Sequence, residues 1–162
     1  MVQDSQTFER TFALSDLDAT EALGARIAAA LRIGDAVALE GDLGAGKTTL
    51  ARAILRALGV TEEVPSPTFT LVQYYETAKL SVRHYDLYRI ENPQEMDELG
   101  LDEALNDGAA LIEWPERALA WLPPDRLHVS LSHSDGARRA RISGPPRWAD
   151  AMRNAAADVG HV

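Results

Sequence analysis

The chain is 162 residues long and 46% hydrophobic, which is enough apolar material for one folded domain over residues 1–162. Its 16 basic and 25 acidic side chains leave a formal charge of -9, which argues against a broad nucleic-acid-binding face. The sequence lacks cysteine and signal-peptide patterning, and no apolar run reaches the roughly 20 residues that span a bilayer. We therefore expect a cytoplasmic protein with no disulfide, no cysteine-bound metal and no membrane partner.

Strand and helix signals alternate through the first half of the sequence. Residues 7–14 alternate as a strand does, and residues 15–32 form a helical pattern that Ser15 or Asp16 would cap. A short apolar strand at 35–41 then runs into a glycine-rich loop. The expected apolar face of the first helix comprises Leu17, Leu23, Ile27 and Leu31.

The later segments add more strand signals and a hairpin. In chain order we predict a helix over 47–59, then a segment at 64–76 in which two prolines fix an extended loop before a β-rich run, and a second β-rich run at 80–90. Two short helices follow within the acidic run 91–116, then a strand at 109–113, a helix started by Pro115, and a hairpin over 126–143 around Asp135-Gly136. This order predicts an α/β sandwich with a mixed, partly parallel sheet. Residues 145–162 would close the domain as a peripheral helix or trail from it.

Charge is unevenly distributed along the chain. Residues 91–116 hold nine acidic side chains and no basic one, whereas residues 125–162 carry a net charge of +2. The acidic run is interpreted as a solvated face or, alternatively, as a docking surface for a partner. The basic hairpin has no role that the sequence assigns.

The segment "EGDLGAGKTTLAR" contains a phosphate-binding loop. Gly41, Gly46, Lys47 and Thr48 fit the pattern G-x-x-x-x-G-K-[ST], between a predicted strand and a predicted helix. Glycines, Gly44 included, let backbone N–H groups surround a phosphate at the positive end of the helix. Lys47 would then reach the β- and γ-phosphates, and the Thr48 hydroxyl would hold Mg²⁺. The alternative without a binding function is a glycine turn that only caps a helix.

A second magnesium ligand should stand at the end of a neighbouring strand. Glu113 follows the apolar run "AALI", at the strand edge where open α/β sheets bind ligands, although a solvated acid would occupy the same position. Asp86 shares a strand face with Leu80 and Val82, so its carboxylate needs a partner or a task. Either it places a metal-bound or attacking water, or it forms a structural ion pair, for example with Arg89.

The loop alone leaves several classes of protein open. A guanine-specific switch would carry an N-K-x-D-type base reader, and neither Lys47 nor Lys79 follows an asparagine. A stand-alone small-molecule kinase stays possible, with the hairpin arginines Arg138, Arg139 and Arg141 in a lid. A nucleotide-gated adaptor with negligible turnover is the third alternative.

Five motifs in order, "EGDLGAGKTTLAR", "SPTFTLV", "HYDLYRI", "ELGLDE" and "LIEWPERA", make the chain resemble the TsaE (YjeE) family over roughly residues 10–143. These are bacterial ATPases of tRNA threonylcarbamoyladenosine synthesis. The resemblance implies a P-loop NTPase-like three-layer sandwich that binds ATP and ADP with Mg²⁺. It also implies that the chain acts on the TsaD and TsaB proteins, with tRNA contacted indirectly through that pair.

The resemblance also assigns roles to residues. Lys47, Asp86 and Glu113 are the implied catalytic residues, with Thr48 and Glu113 on the metal. The segment "SPTF", Ser66 to Phe69, matches a loop that responds to nucleotide. No arginine of the sequence is an obvious arginine finger, and Arg89 and Arg117 are the nearest candidates by motif, so we expect weak ATPase activity that partners raise. The implied nucleotide-binding residues are Asp42, Leu43, Gly44, Ala45, Gly46, Lys47, Thr48, Thr49 and Trp114.

Overall fold

A computed structural model of the chain describes residues 7–42, 44–65, 67, 71–134 and 136–152. Within these ranges, seven strands and three α-helices alternate with short 3₁₀ segments. The elements are β1 (Phe8–Ala13), α1 (Leu17–Ala30), β2 (Ala36–Glu40), α2 (Lys47–Ala57), β3 (Val72–Glu76), β4 (Ser81–Asp86), a 3₁₀ helix (Pro93–Leu99), α3 (Leu101–Asp107), β5 (Gly108–Glu113), a 3₁₀ segment (Pro115–Trp121), β6 (Leu127–Ser134), β7 (Ala137–Gly144) and a 3₁₀ turn (Pro146–Trp148).

The strands form one mixed sheet in the order β1-β7-β6-β2-β5-β4-β3. Its centre is parallel, because β2 pairs with β5 and β6 and β5 pairs with β4, while the outer pairs are antiparallel. The prediction of a mixed, partly parallel sheet is therefore confirmed. The carboxyl ends of β2, β4, β5 and β6 meet at one edge, which is where ligands bind in such sheets.

Helical segments cover both faces of the sheet, which confirms the three-layer architecture. On one face, Leu23 and Ile27 of α1 and Leu50 and Ile54 of α2 are fully buried against the strands. On the other face, apolar side chains of the shorter segments, such as Met96, pack on β4 and β5. Burying both faces explains why β5, with the sequence "GAALIE", is buried along its whole length.

The last described residues of the chain pack into the hydrophobic core between the sheet and helices α1 and α2. Trp148 and Met152 are buried among the side chains of α1, β6 and β7. Residues 153–162 lie outside the described part, so a peripheral helix or tail over 145–162 stays a prediction. No helix among the described residues is both long and apolar enough to cross a membrane.

Three local predictions were wrong or incomplete. Leu17 is 57% exposed, because it occupies the first turn of α1 and lies on the rim of a cavity instead of in the core. The β-rich run at 80–90 is a strand only to Asp86, whose side chain accepts a hydrogen bond from Tyr88 N and turns the chain. The helix after Pro115 is 3₁₀ and kinked at Ala118.

Other local predictions are confirmed. Asp16 caps α1 by accepting a hydrogen bond from Ala19 N at 2.9 Å. The acidic run folds as the two expected short helices, and β6 and β7 form the expected hairpin. Asp135 of its turn lies outside the described residues.

Candidate active site

The phosphate loop joins the end of β2 to the start of α2. Gly41 has φ +154°, and a Cβ atom there would stand 2.7 Å from the Leu131 carbonyl oxygen. Gly46, which precedes the first residue of α2, has φ +108°. Both positions favour glycine because their φ angles are positive. At Gly41 a side chain would also be too close to Leu131. The loop therefore brings bare backbone to the amino end of α2.

Lys47 is the buried cation of the site. Its side chain is 5% exposed, and Nζ donates hydrogen bonds to the carbonyl oxygens of Gly41 at 2.6 Å and Asp42 at 3.0 Å. Nζ also lies 4.2 Å from the centroid of the Trp114 ring. Burial lowers the pKa of Lys47, and the nearby Glu113 carboxylate opposes that shift.

Glu113, at the carboxyl end of β5, links α2 to β4. The Thr48 hydroxyl donates to its carboxylate, with Oγ1 at 3.0 Å from Oε1 and 2.9 Å from Oε2. On the other side His84 Nε2 lies 2.7 Å from Oε2. Glu113 is 2% exposed and His84 is fully buried, so these contacts hold the carboxylate in one orientation.

Asp86 lies next to Glu113 because the two residues are direct partners in the parallel β4–β5 register. It is 5% exposed, and its Oδ1 accepts the hydrogen bond from Tyr88 N at 2.9 Å. The two carboxylates thus stand side by side at the strand ends, which is the edge expected for Glu113.

Trp114 turns the chain immediately after Glu113. Its backbone is left-handed, with φ +59°, a conformation uncommon for a bulky residue. The turn places the indole between Lys47 and Tyr88, whose ring centroid is 4.8 Å away. The Arg117 guanidinium stacks over the Tyr88 ring, with Cζ 5.3 Å from the ring centroid. An aromatic wall therefore joins the loop lysine to an arginine outside the loop.

These side chains surround a cavity of about 370 Å³. The structure brings together most of the residues expected at the site: Gly44, Gly46, Lys47, Thr48, Thr49, Asp86, Glu113 and Trp114 all line it. Asp42 and Ala45 line a neighbouring cavity on the β6 side of the loop. Leu43 and three residues of the "SPTF" segment, Ser66, Thr68 and Phe69, lie outside the described residues.

The sequence interpretation gives no role to His84 or Tyr88, and it considers Arg138 only as a lid residue of the kinase alternative. His84 stands two positions before Asp86 on the same strand face, and that spacing is a signal that could have found it. Tyr88 follows Asp86 by two positions but lies beyond the strand. Arg138 lines the cavity from the distant hairpin, so only the order of strands in the sheet reveals it.

The oxygen atoms at the cavity fit a magnesium ion. A hydroxyl and a carboxylate, from Thr48 and Glu113, converge at hydrogen-bonding distance, and Mg²⁺ takes one or two such protein ligands beside water and phosphate. Among the described residues there is no group of three or more acidic, histidine or cysteine side chains that would bind a metal by themselves.

The mixed seven-stranded sheet, with a glycine loop feeding a helix at its carboxyl edge, defines a P-loop NTPase-like fold. The family model for TsaE, described as "Threonylcarbamoyl adenosine biosynthesis protein TsaE", matches residues 14–141. The chain belongs to the TsaE family, which confirms the resemblance drawn from the sequence motifs.

Individual relatives agree with the family match. The chain is 42% identical over 127 residues to the tRNA threonylcarbamoyladenosine biosynthesis protein TsaE of Rickettsia felis, covering 78% of this chain and 74% of that one. The TsaE protein of Bacillus subtilis is 40% identical over 116 residues, covering 71% and 72%. The crystal structure of YdiB from Bacillus subtilis superposes with a TM-score of 0.78 at 29% identity, covering 94% and 97%.

Proposed function

We propose that the chain is a Mg²⁺-dependent ATPase that serves threonylcarbamoyladenosine modification of tRNA by acting on the TsaD–TsaB complex. It would work in the cytoplasm as a single domain and contact tRNA only through that complex. The family supports the pathway, and the loop with its acidic strand ends supports the nucleotide chemistry. ATP would be hydrolysed slowly by the free chain and faster in the assembly.

The contact between Thr48 and Glu113 carries this proposal. A P-loop threonine and a strand-end acid, 65 positions apart in sequence, meet within 3.0 Å at the mouth of the loop. That is the pair of oxygen groups that P-loop proteins use for the magnesium of a bound nucleotide. A glycine turn that merely capped a helix would have no need of the acid, so the contact favours nucleotide binding.

The other side chains fit defined tasks in hydrolysis. Lys47 already has its ammonium inside the loop, where it can turn from the carbonyls of Gly41 and Asp42 to the phosphates. Asp86, beside Glu113, can accept a hydrogen bond from an attacking water. Magnesium, held by Thr48 and Glu113, would neutralise charge on the phosphates.

Nucleotide binding is tested first, by isothermal titration calorimetry of the wild-type chain with ATP, ADP and GTP, in Mg²⁺ and in EDTA. We expect ATP and ADP to bind with an Mg²⁺-dependent affinity and GTP to bind less well. Lys47→Ala should bind ATP at least about tenfold more weakly, because a charged contact to phosphate is lost. Lys79→Ala, which removes the other lysine, is the matched control. Equal binding by wild type and Lys47→Ala would contradict the proposed site.

A further inference from the structure

Arg138 is the second residue of β7, and the sheet fixes its position from both sides. It pairs with His133 of β6, and its carbonyl oxygen accepts a hydrogen bond from Leu14 N at 2.9 Å. The backbone at this point is therefore held by two neighbours although the residue lies close to the hairpin turn. The Cα atom that carries the Arg138 side chain is therefore held in place by the sheet.

The guanidinium of Arg138 lies beside the phosphate loop. Nη1 is 3.8 Å from the point where a Cβ atom on Gly46 would stand, and the side chain lines the same cavity as Lys47 and Thr48. Among the described residues, the side chain of Arg138 has no hydrogen-bond or ion-pair partner. In contrast, Arg141 of the same strand pairs with Glu9, and Arg147 pairs with Asp35. Within the described part of the chain, the guanidinium of Arg138 therefore has no anionic partner.

Arg138 contributes to the lining of two cavities. Together with Thr49 it lines a second one, of about 200 Å³, at the junction of β1 and α1. Glu113 and Asp86 line only the first. In P-loop proteins the backbone of the glycine loop holds the α- and β-phosphates, while the metal and γ-phosphate lie toward the acidic strand ends. Arg138 is thus at the α/β end of the expected phosphate chain.

We propose that Arg138 binds the α- and β-phosphates of the nucleotide, as a cation that the C-terminal hairpin supplies within the same chain. This inference rests on the proposed nucleotide binding and assigns a task to the basic hairpin. A guanidinium suits it because its N–H groups can contact two phosphate oxygens at once. A contact at this end would strengthen ADP and ATP binding alike, unlike an arginine finger, which acts on the γ-phosphate in the transition state.

The test compares Arg138→Gln with Arg139→Gln. Both residues are exposed arginines of β7, but Arg139 lies on the opposite strand face and lines neither cavity. The two substitutions therefore change net charge equally. Affinities for ATP and ADP are measured by calorimetry in Mg²⁺, and thermal unfolding of the free proteins shows that both fold. Arg138→Gln should weaken both nucleotides about tenfold, and Arg139→Gln should match wild type.

Arg138→Lys keeps the charge and should recover part of the lost affinity, which separates a phosphate contact from a packing defect. Equal affinities in Arg138→Gln and Arg139→Gln would overturn the inference while leaving nucleotide binding intact. Loss of affinity for ATP with ADP unchanged would also overturn it, because the arginine would then act on the γ-phosphate. A wild-type chain that bound neither nucleotide would overturn the proposed function together with the inference.

Discussion

His84 Nε2 lies 2.7 Å from the Oε2 atom of Glu113, with both side chains buried under the end of the sheet. Within the described part of the chain, the other ring nitrogen of His84 has no hydrogen-bond partner. The Glu113 contact is thus the polar interaction that fixes the ring. In return, Nε2–H would orient the carboxylate toward Thr48, which makes His84 a positioning residue for the proposed metal site.

His84→Ala should therefore raise the Mg²⁺ concentration needed for half-maximal ATP hydrolysis, about tenfold, because Glu113 loses its fixed orientation. The loss of a partner for a buried carboxylate should also reduce the free energy of unfolding by about 1–3 kcal/mol. His84→Gln keeps an N–H donor and should recover part of the Mg²⁺ affinity. An unchanged Mg²⁺ dependence in both variants would limit His84 to a role in folding.

Asp86→Asn is the cleanest probe of the second carboxylate. Asparagine keeps an oxygen that can accept the hydrogen bond from Tyr88 N, so the turn after β4 survives while the negative charge is removed. We expect nucleotide affinity close to wild type and turnover lower by about 100-fold, as for loss of a water-positioning group. Calorimetry and phosphate release measure the two quantities. An unfolded Asp86→Asn protein would instead support the structural interpretation of Asp86.

The acidic run 91–116 contains side chains that hold the fold and others that are free to contact a partner protein. Glu95 and Asp97 help to hold the fold, because Glu95 completes a capping box with Asn92 and Asp97 accepts a hydrogen bond from Trp121 Nε1. Glu98 is exposed in the same helix. Glu98→Lys should weaken co-elution with TsaD and TsaB if this face docks, whereas Glu21→Lys on α1 should not. Equal co-elution would leave the run as a solvated face.

Acid sensitivity should trace to Glu40, the residue before the phosphate loop. The hydrogen bond from His128 holds the pKa of Glu40 below its ordinary value of 4.5. A lowered carboxyl pKa stabilises the fold above about pH 4.5, and the contribution is lost as pH falls through the folded-state value.

Urea unfolding of the Glu40 variant should show this dependence. Glu40→Gln should lower the urea concentration at half unfolding at about pH 7 but not at about pH 2. His128→Gln should remove the same pH-dependent contribution to stability. If wild type were more stable than Glu40→Gln by the same amount at both pH values, the assignment of the acid sensitivity to Glu40 would be contradicted.

Motifs and periodicity predicted the central features well, because each has a local cause. The P-loop glycines, the apolar strand ending in Glu113 and the Asp16 cap are all short-range patterns, and each structural feature was confirmed. The errors also have local physical causes. Leu17 has helical spacing but occupies a helix end, and the Asp86 turn cuts a β-rich run short.

The parts that sequence alone could not predict depend on the order of strands. Arg138 reaches the phosphate loop because β7 adds to the sheet beside β6, and β6 lies next to β2. Likewise the Asp86–Glu113 pairing follows from the register between β4 and β5, which no local pattern specifies. The functional roles of these residues stay predictions until they are measured.

The most direct test of the account is release of free phosphate from ATP by the wild-type chain and by Glu113→Ala, each alone and with TsaD, TsaB and tRNA. Thermal unfolding of Glu113→Ala confirms that it folds. We expect slow phosphate release by the wild-type chain alone, a large increase with the partners, and almost none from Glu113→Ala in either setting. Rapid hydrolysis that the partners leave unchanged, or phosphate transferred to a small acceptor instead of released, would contradict it.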